Sequence, residues 1–100
     1  MIIVLGSAKV KPGQVDAALA LSLTHVHRSR GEAGCISHDL SVDAENPQHL
    51  MFTEKWADMP ALLTHFSLDA SKEFVADLTA MLSEAPEMKI YNADEVNVGG

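Results

Sequence analysis

The chain has one cysteine, Cys35, in 100 residues. No intramolecular disulfide is possible, so the core must hold by burial alone, as suits a reducing compartment. Aromatic residues are scarce at 5%, which leaves a core of aliphatic side chains and methionine. Basic residues are also few: Lys and Arg total 7 against 14 Asp and Glu, a formal charge of −7 weighted toward the second half. Such a surface repels phosphate backbones and anionic lipid, which argues against nucleic acid or membrane as partners. Long apolar runs are missing. The opening MIIVLGSAKV is too short to span a bilayer and has no basic flank, so it reads as a strand, not a leader, and the expected compartment is the cytoplasm. There is no Gly-rich phosphate loop, because GEAG has no Lys and no helix after it. No Ser-His-Asp order sits at a strand-to-helix elbow. Repeats, low-complexity tracts and linkers are absent too, so one domain over residues 1–100 is expected.

What is present is a regular alternation of elements. Ile2 to Val10 reads as a strand apolar on both faces, with Ile2, Val4 and Ala8 on one and Ile3 and Leu5 on the other. A chain of this length hardly covers both faces of a sheet, so a second copy is expected on one of them. Pro12 and Gly13 break the strand. Gln14 to Ser29 carries Val15, Leu19, Ser22, Leu23 and Val26 at helical spacing, with Arg28 and Arg30 near its C-terminal end. Cys35 to Asp43 alternates: Ile36, His38, Leu40 and Val42 face one way, Cys35, Ser37, Asp39 and Ser41 the other. After an Asn-Pro loop, His49 to Trp56 alternates again, with Leu50, Phe52, Glu54 and Trp56 on one face, completing a hairpin.

Asp58 caps the next helix, with Pro60 in its first turn. A fresh cap at Asp69 or Ser71 predicts a break or kink before a second stretch that ends near Glu84. Residues 88–96 read as a last strand. The order β-α-β-β-α-β is the split pattern of an α+β, ferredoxin-like fold: a four-stranded antiparallel sheet with its helices on one face. Ile3, Leu5, Met51 and Tyr91 on the bare face predict a homodimer packed sheet to sheet, a dimeric α/β barrel.

The candidate site residues gather around EKWADMPALLTHF. His65 lies on a helix beside Leu62 and Phe66, either as a core-edge residue with a satisfied hydrogen bond or as a group facing a pocket. Trp56 and Glu54 share a strand face with Phe52. Trp56 is either the largest core side chain or a pocket wall, and Glu54 either a paired buried acid or the orienter of a polar partner. His38 points with Leu40 toward the core or the same pocket. His25 and His27 are two apart on a helix and flank its apolar stripe, where metal binding would want a spacing of three or four. His49 reads as exposed. Cys35 has no neighbouring cation to activate it and reads as a small structural hydrophobe.

These residues also carry a resemblance. GEAGCISHDLSVDAENPQHLMFTEKWADMPALLTHF resembles the core of the antibiotic biosynthesis monooxygenase family. The matching elements are KPG after the first strand, GC opening the second, the Pro loop, E-x-W ending the third and A-L-x-x-H-F in the following helix, with Phe74 further on. The resemblance covers nearly the whole chain. It implies a homodimer with a pocket between sheet and helices, which oxidises a quinol or other electron-rich phenolic compound with O₂ and without cofactor or metal. On that reading His65 is the base or anion binder, and Trp56, Phe52, His38, Glu54, Phe66 and Val4 bind the small aromatic substrate. Two departures stand out. Haem-degrading relatives have an Asn, a Trp and a haem-ligating His where this chain has Gly6, His65 and Val75. The quinol-oxidising branch often has a second His where this chain has Ala70. The alternative is a non-catalytic dimeric small-molecule-binding or interaction module of the same fold.

Overall fold

The computed structural model describes residues 1–99. Its elements in chain order are β1 (Ile2–Lys9), α1 (Val15–Ser29), β2 (Cys35–Asp43), β3 (Asn46–Trp56), α2 (Met59–Ser67), α3 (Asp69–Thr79) and β4 (Glu87–Asn92). The strands form one antiparallel sheet in the order β2-β3-β1-β4. This is the ferredoxin-like α+β fold, with the second helix broken in two.

The break falls at Leu68, whose extended backbone caps the end of α2 and the start of α3. Neither Asp69 nor Ser71 caps α3 with its side chain. Asp69 instead lies in the first turn, where the helix dipole favours an anion. Asp58 does cap α2, accepting from the Ala61 N–H at 2.9 Å. α3 ends at Thr79, short of Glu84, because Leu82 turns back to bridge Val10 beyond the end of β1. β3 begins at Asn46 rather than His49. Pro47 is tolerated there because the pairing jumps from Val42–Leu50 to Asp43–Asn46 around it, and β1 joins only at His49.

Two expected faces shift. α1 buries Ala18, Ser22, His25, Val26 and Ser29, while Leu23 is exposed. Small residues at three of those five positions let the helix lie close to its neighbours and turn His25 inward. In β2 a register irregularity between Cys35 and Ser37 leaves Ile36 outside the ladder and 57% exposed. Cys35 therefore pairs with Trp56 and shares the inner side with His38, and strict alternation fails at that one residue. Val42 is exposed as well, near the far end of this edge strand.

The core lies between the sheet and the helices in two parts. Ala8, Val10, Leu50, Phe52, Phe74 and Leu78 belong to one, and Ile2, Val4, Trp56 and Leu62 to the other. The buried residues between them are polar.

Candidate active site

Four elements build that polar interval. α1 contributes His25, β2 His38, β3 Glu54 and α2 His65. All four are at most 5% exposed. The imidazole centroids lie 5.3 Å apart for His25 and His38, 5.2 Å for His25 and His65, and 5.7 Å for His38 and His65. Ala70 stands where the quinol-oxidising branch often has a second His, but two other imidazoles, His25 and His38, lie beside His65.

Each ring is held differently. Glu32 Oε1 lies 2.7 Å from His65 Nδ1. An ionised carboxylate only accepts, so Nδ1 carries a proton, and in the neutral ring Nε2 is the nitrogen with the free lone pair. Glu32 belongs to the turn after α1, and its reach depends on Gly34. That residue has φ +81°, and a Cβ there would sit 2.5 Å from Ala61 Cβ, so only glycine lets α2 close on the turn. Behind His65 lies Trp56, with centroids 4.7 Å apart, and its indole N–H donates to Glu54 Oε1 at 3.0 Å. His38 Nε2 is 3.3 Å from the same oxygen, close enough for electrostatic attraction but misaligned as a hydrogen bond, so both its ring nitrogens lack a partner. Burial by itself raises the Glu54 carboxyl. The contacts from His38 and Trp56 and the nearby His65 outweigh it and hold the group below the usual range.

His25 stacks on Phe74 with centroids 3.9 Å apart and planes 5° from parallel. Its Nδ1 meets the Arg28 guanidinium at 2.6 Å. Burial first, then His38, His65 and Arg28, lower its pKa to about 3. The Cys35 thiol is pushed up by burial and by the Glu32 and Glu54 carboxylates, which leaves it inert.

A cavity of about 410 Å³ opens between the sheet and α3, within the roughly 300–1,000 Å³ of small-molecule sites. His25, His38, Glu54 and His65 meet there with Phe52, Phe66 and Phe74 on its walls. Gly6 also lines it, and its missing side chain keeps that part of the sheet floor clear. Ser71 Oγ and Glu32 Oε2 are buried without a partner, as is His38. Each such atom costs about 1–3 kcal/mol; His38 and Ser71 line the cavity, and their unpartnered atoms fit a site built for a ligand.

Of the residues expected from sequence, His65, Phe52, His38, Glu54 and Phe66 line the cavity. Trp56 and Val4 do not. Both are fully buried with Ile2 and Leu62, so Trp56 supports His65 and Glu54 from behind and Val4 packs the same wall. His49 is half-buried rather than exposed, near Asp43 and Ser7 on the outer sheet face. Sequence reasoning missed His25 and Glu32. The small residues Ala18, Ser22 and Ser29 signal the buried face of α1, and hence His25; nothing local signals Glu32.

One ring nitrogen from each of His25, His38 and His65 lies within 4.8 Å of the others. Bonds of about 2.0–2.1 Å to zinc place tetrahedral nitrogens roughly 3.4 Å apart, so the rings would have to close in. Metal-bound histidines also direct their second nitrogen to an acceptor. His65 meets that condition through Glu32, whereas His25 faces a guanidinium. The cluster suits proton handling better than metal ligation.

The chain is a small α+β protein with a ferredoxin-like sheet and a cavity beneath its helices that three histidines line. Residues 1–77 match the model of the antibiotic biosynthesis monooxygenases. The chain belongs to that family. It is similar to an uncharacterized protein of Synechocystis sp., 37% identical over 94 residues, which are 94% of this chain and 64% of that protein. The chain thus spans less than two thirds of that relative's length. Among solved structures it is similar to an antibiotic biosynthesis monooxygenase (TM-score 0.88, 28% identity, 95% of this chain and 100% of that one). It is also similar to a conserved protein from Methanosarcina mazei Go1 (TM-score 0.89, 30% identity, 93% and 92%). No helix among the described residues is long and apolar enough to cross a membrane.

Proposed function

We propose that the protein is a cofactor-independent monooxygenase that oxidises a quinol or similar electron-rich phenol with O₂. The observation that carries this reading is His65, paired with Glu32, on the wall of a 410 Å³ cavity that Phe52, Phe66 and Phe74 also line. The walls suit a flat aromatic ring, and the lone pair on His65 Nε2 suits its hydroxyl proton.

A phenol becomes a strong one-electron donor when it loses that proton. His65 takes it at Nε2, and Glu32 steadies the resulting imidazolium through Nδ1–H. The phenolate passes one electron to O₂, and the radical pair joins as a ring carbon–oxygen bond. The O–O bond then breaks, the ring C–H proton leaves, and His65 returns its proton to the departing hydroxide. Phenol and O₂ become quinone and water, with both remaining electrons drawn from the substrate. Exclusion of bulk water by the aromatic walls protects the intermediates.

The same reading includes a homodimer in the cytoplasm. Leu5 and Tyr91 are each 46% exposed on the outer sheet face, near the half-buried Ile3 and Met51. A second copy on that face would cover them. The alternative, a binding module without chemistry, is less favoured by an open cavity beside His65 than a filled interior would have made it.

Oxygen uptake with a panel of reduced naphthoquinols tests the activity. Wild type should consume O₂ above the buffer rate, and His65→Ala should lose most of that excess. Equal rates in the two proteins, or none above buffer, would sink it.

A further inference from the structure

Arg28 and Glu32 treat their imidazole partners, His25 and His65, in opposite ways. A guanidinium has only donors, so the Arg28 contact at 2.6 Å requires His25 Nδ1 to be an acceptor. The one proton of the neutral ring is then on Nε2. His25 lines the cavity and Arg28 does not, so the edge bonded to Arg28 is the outer one and Nε2–H lies on the inner edge. Stacking on Phe74 fixes the ring plane. His65, 5.2 Å away between centroids, is locked by Glu32 in the other tautomer, with its bare nitrogen available.

We propose that His25 is a second catalytic residue, an uncharged hydrogen-bond donor whose Nε2–H holds the oxygen of a phenolate or enolate after His65 has taken its proton. No covalent bond changes at His25; it gives no proton away. Its neutrality is what makes this useful. An imidazolium would hand its proton back to the anion, whereas a neutral imidazole N–H is too weak an acid to do so and still stabilises the charge. The same device, a histidine kept neutral by its surroundings so that it polarises an oxygen, is a known catalytic pattern. The groups facing the ring support it: burial, His38, His65 and Arg28 all disfavour a second proton, and only Glu54 opposes them. A ring with Nε2 protonated also cannot ligate a metal through that atom, which separates this role from a three-histidine metal site.

The role rests on the phenol-oxidising reading for its substrate, but the tautomer and the anion-holding do not require turnover. Two measurements test them on the whole protein. The first is ¹⁵N NMR of histidine-labelled protein: His25 should give a protonated Nε2 and a bare Nδ1, unchanged as the pH is lowered through the range where free histidine titrates. A proton on Nδ1, or titration like that of free histidine, would overturn the proposal. The second uses 4-nitrophenol, whose anion is yellow and which O₂ does not oxidise. Bound to wild type it should ionise at a lower pH than in water. His25→Phe, which preserves the stack on Phe74, should weaken phenolate binding by about 10- to 100-fold, the worth of one hydrogen bond to a charged group. Equal phenolate affinity in the two proteins, or no binding to wild type, would overturn it. So would stoichiometric Zn²⁺ or Co²⁺ binding that His25→Phe abolishes. Ionised nitrophenol in a protein that oxidises no quinol would leave the donor role standing and remove the oxygenase reading instead.

Discussion

Glu32 and His65 are 33 positions apart in the chain, yet Oε1 and Nδ1 meet at 2.7 Å. The contact joins the turn after α1 to the last turn of α2 and decides which nitrogen of His65 is free. If His65 is the base, removing the carboxylate costs rate more than binding. Glu32→Ala should lower kcat for a naphthoquinol about 10- to 100-fold, with KM within about twofold. Glu32→Gln, which retains a side-chain acceptor, should fall less. Steady-state oxygen uptake decides, and an unchanged kcat in Glu32→Ala would make the pair merely structural.

Gly34 sets the approach of α2 to that turn. Gly34→Ala meets both a positive φ and the Ala61 methyl at 2.5 Å. It should destabilise the fold by about 1–3 kcal/mol in urea unfolding and, by displacing Glu32, cut activity as deeply as Glu32→Ala. Full activity would mean that the turn adjusts without moving Glu32.

Trp56 is fully buried behind the cavity and donates to Glu54. Trp56→Phe should therefore cost about 2–4 kcal/mol of stability while substrate KM changes less than about twofold. A large KM change with little loss of stability would return Trp56 to the cavity wall.

Acid should weaken the protein in two stages. Above the ordinary histidine value of 6.5, neither the folded nor the unfolded chain protonates His25. Between 6.5 and about 3 the unfolded chain binds a proton that the folded chain refuses, so stability falls with pH, by up to about 1.4 kcal/mol per unit. Glu54 is held below its ordinary 4.5, so its contribution is complete above 4.5 and is lost as pH falls below it. In thermal melts, His25→Phe should lack the first decline and keep the second. A wild-type Tm that is flat between pH 6.5 and 4.5 would contradict this.

Leu5 is 46% exposed on the outer face of the central strand β1. Leu5→Lys should convert a dimer to a monomer in sedimentation velocity, because a buried unpaired ammonium is strongly disfavoured. A wild type that sediments as a monomer would remove the dimer from the reading.

Much of this was legible in the residues. Leu50, Phe52, Glu54 and Trp56 alternate cleanly in β3 because nothing interrupts its register on the inner face. Asp58 and Pro60 mark the start of α2 because capping is local chemistry. His65 could be singled out by the apolar company it keeps on that helix. β2 was less legible: a period of two holds only while the ladder is unbroken, and Ile36 leaves it. α1 was misread at Leu23, which is exposed; Ser22 and Val26 are buried and Val15 and Leu19 pack on the core as expected, but Ala18, His25 and Ser29 also belong to the buried face.

The sequence by itself determined the order of elements, the fold class and the family, because propensity, caps and alternation act over a few residues at a time. Only the tertiary structure decided that His25, His38, His65, Glu32 and Glu54 share one place. Their meeting depends on how closely α1 and α2 approach the sheet and each other, which side-chain volume and backbone turn geometry set across the whole chain.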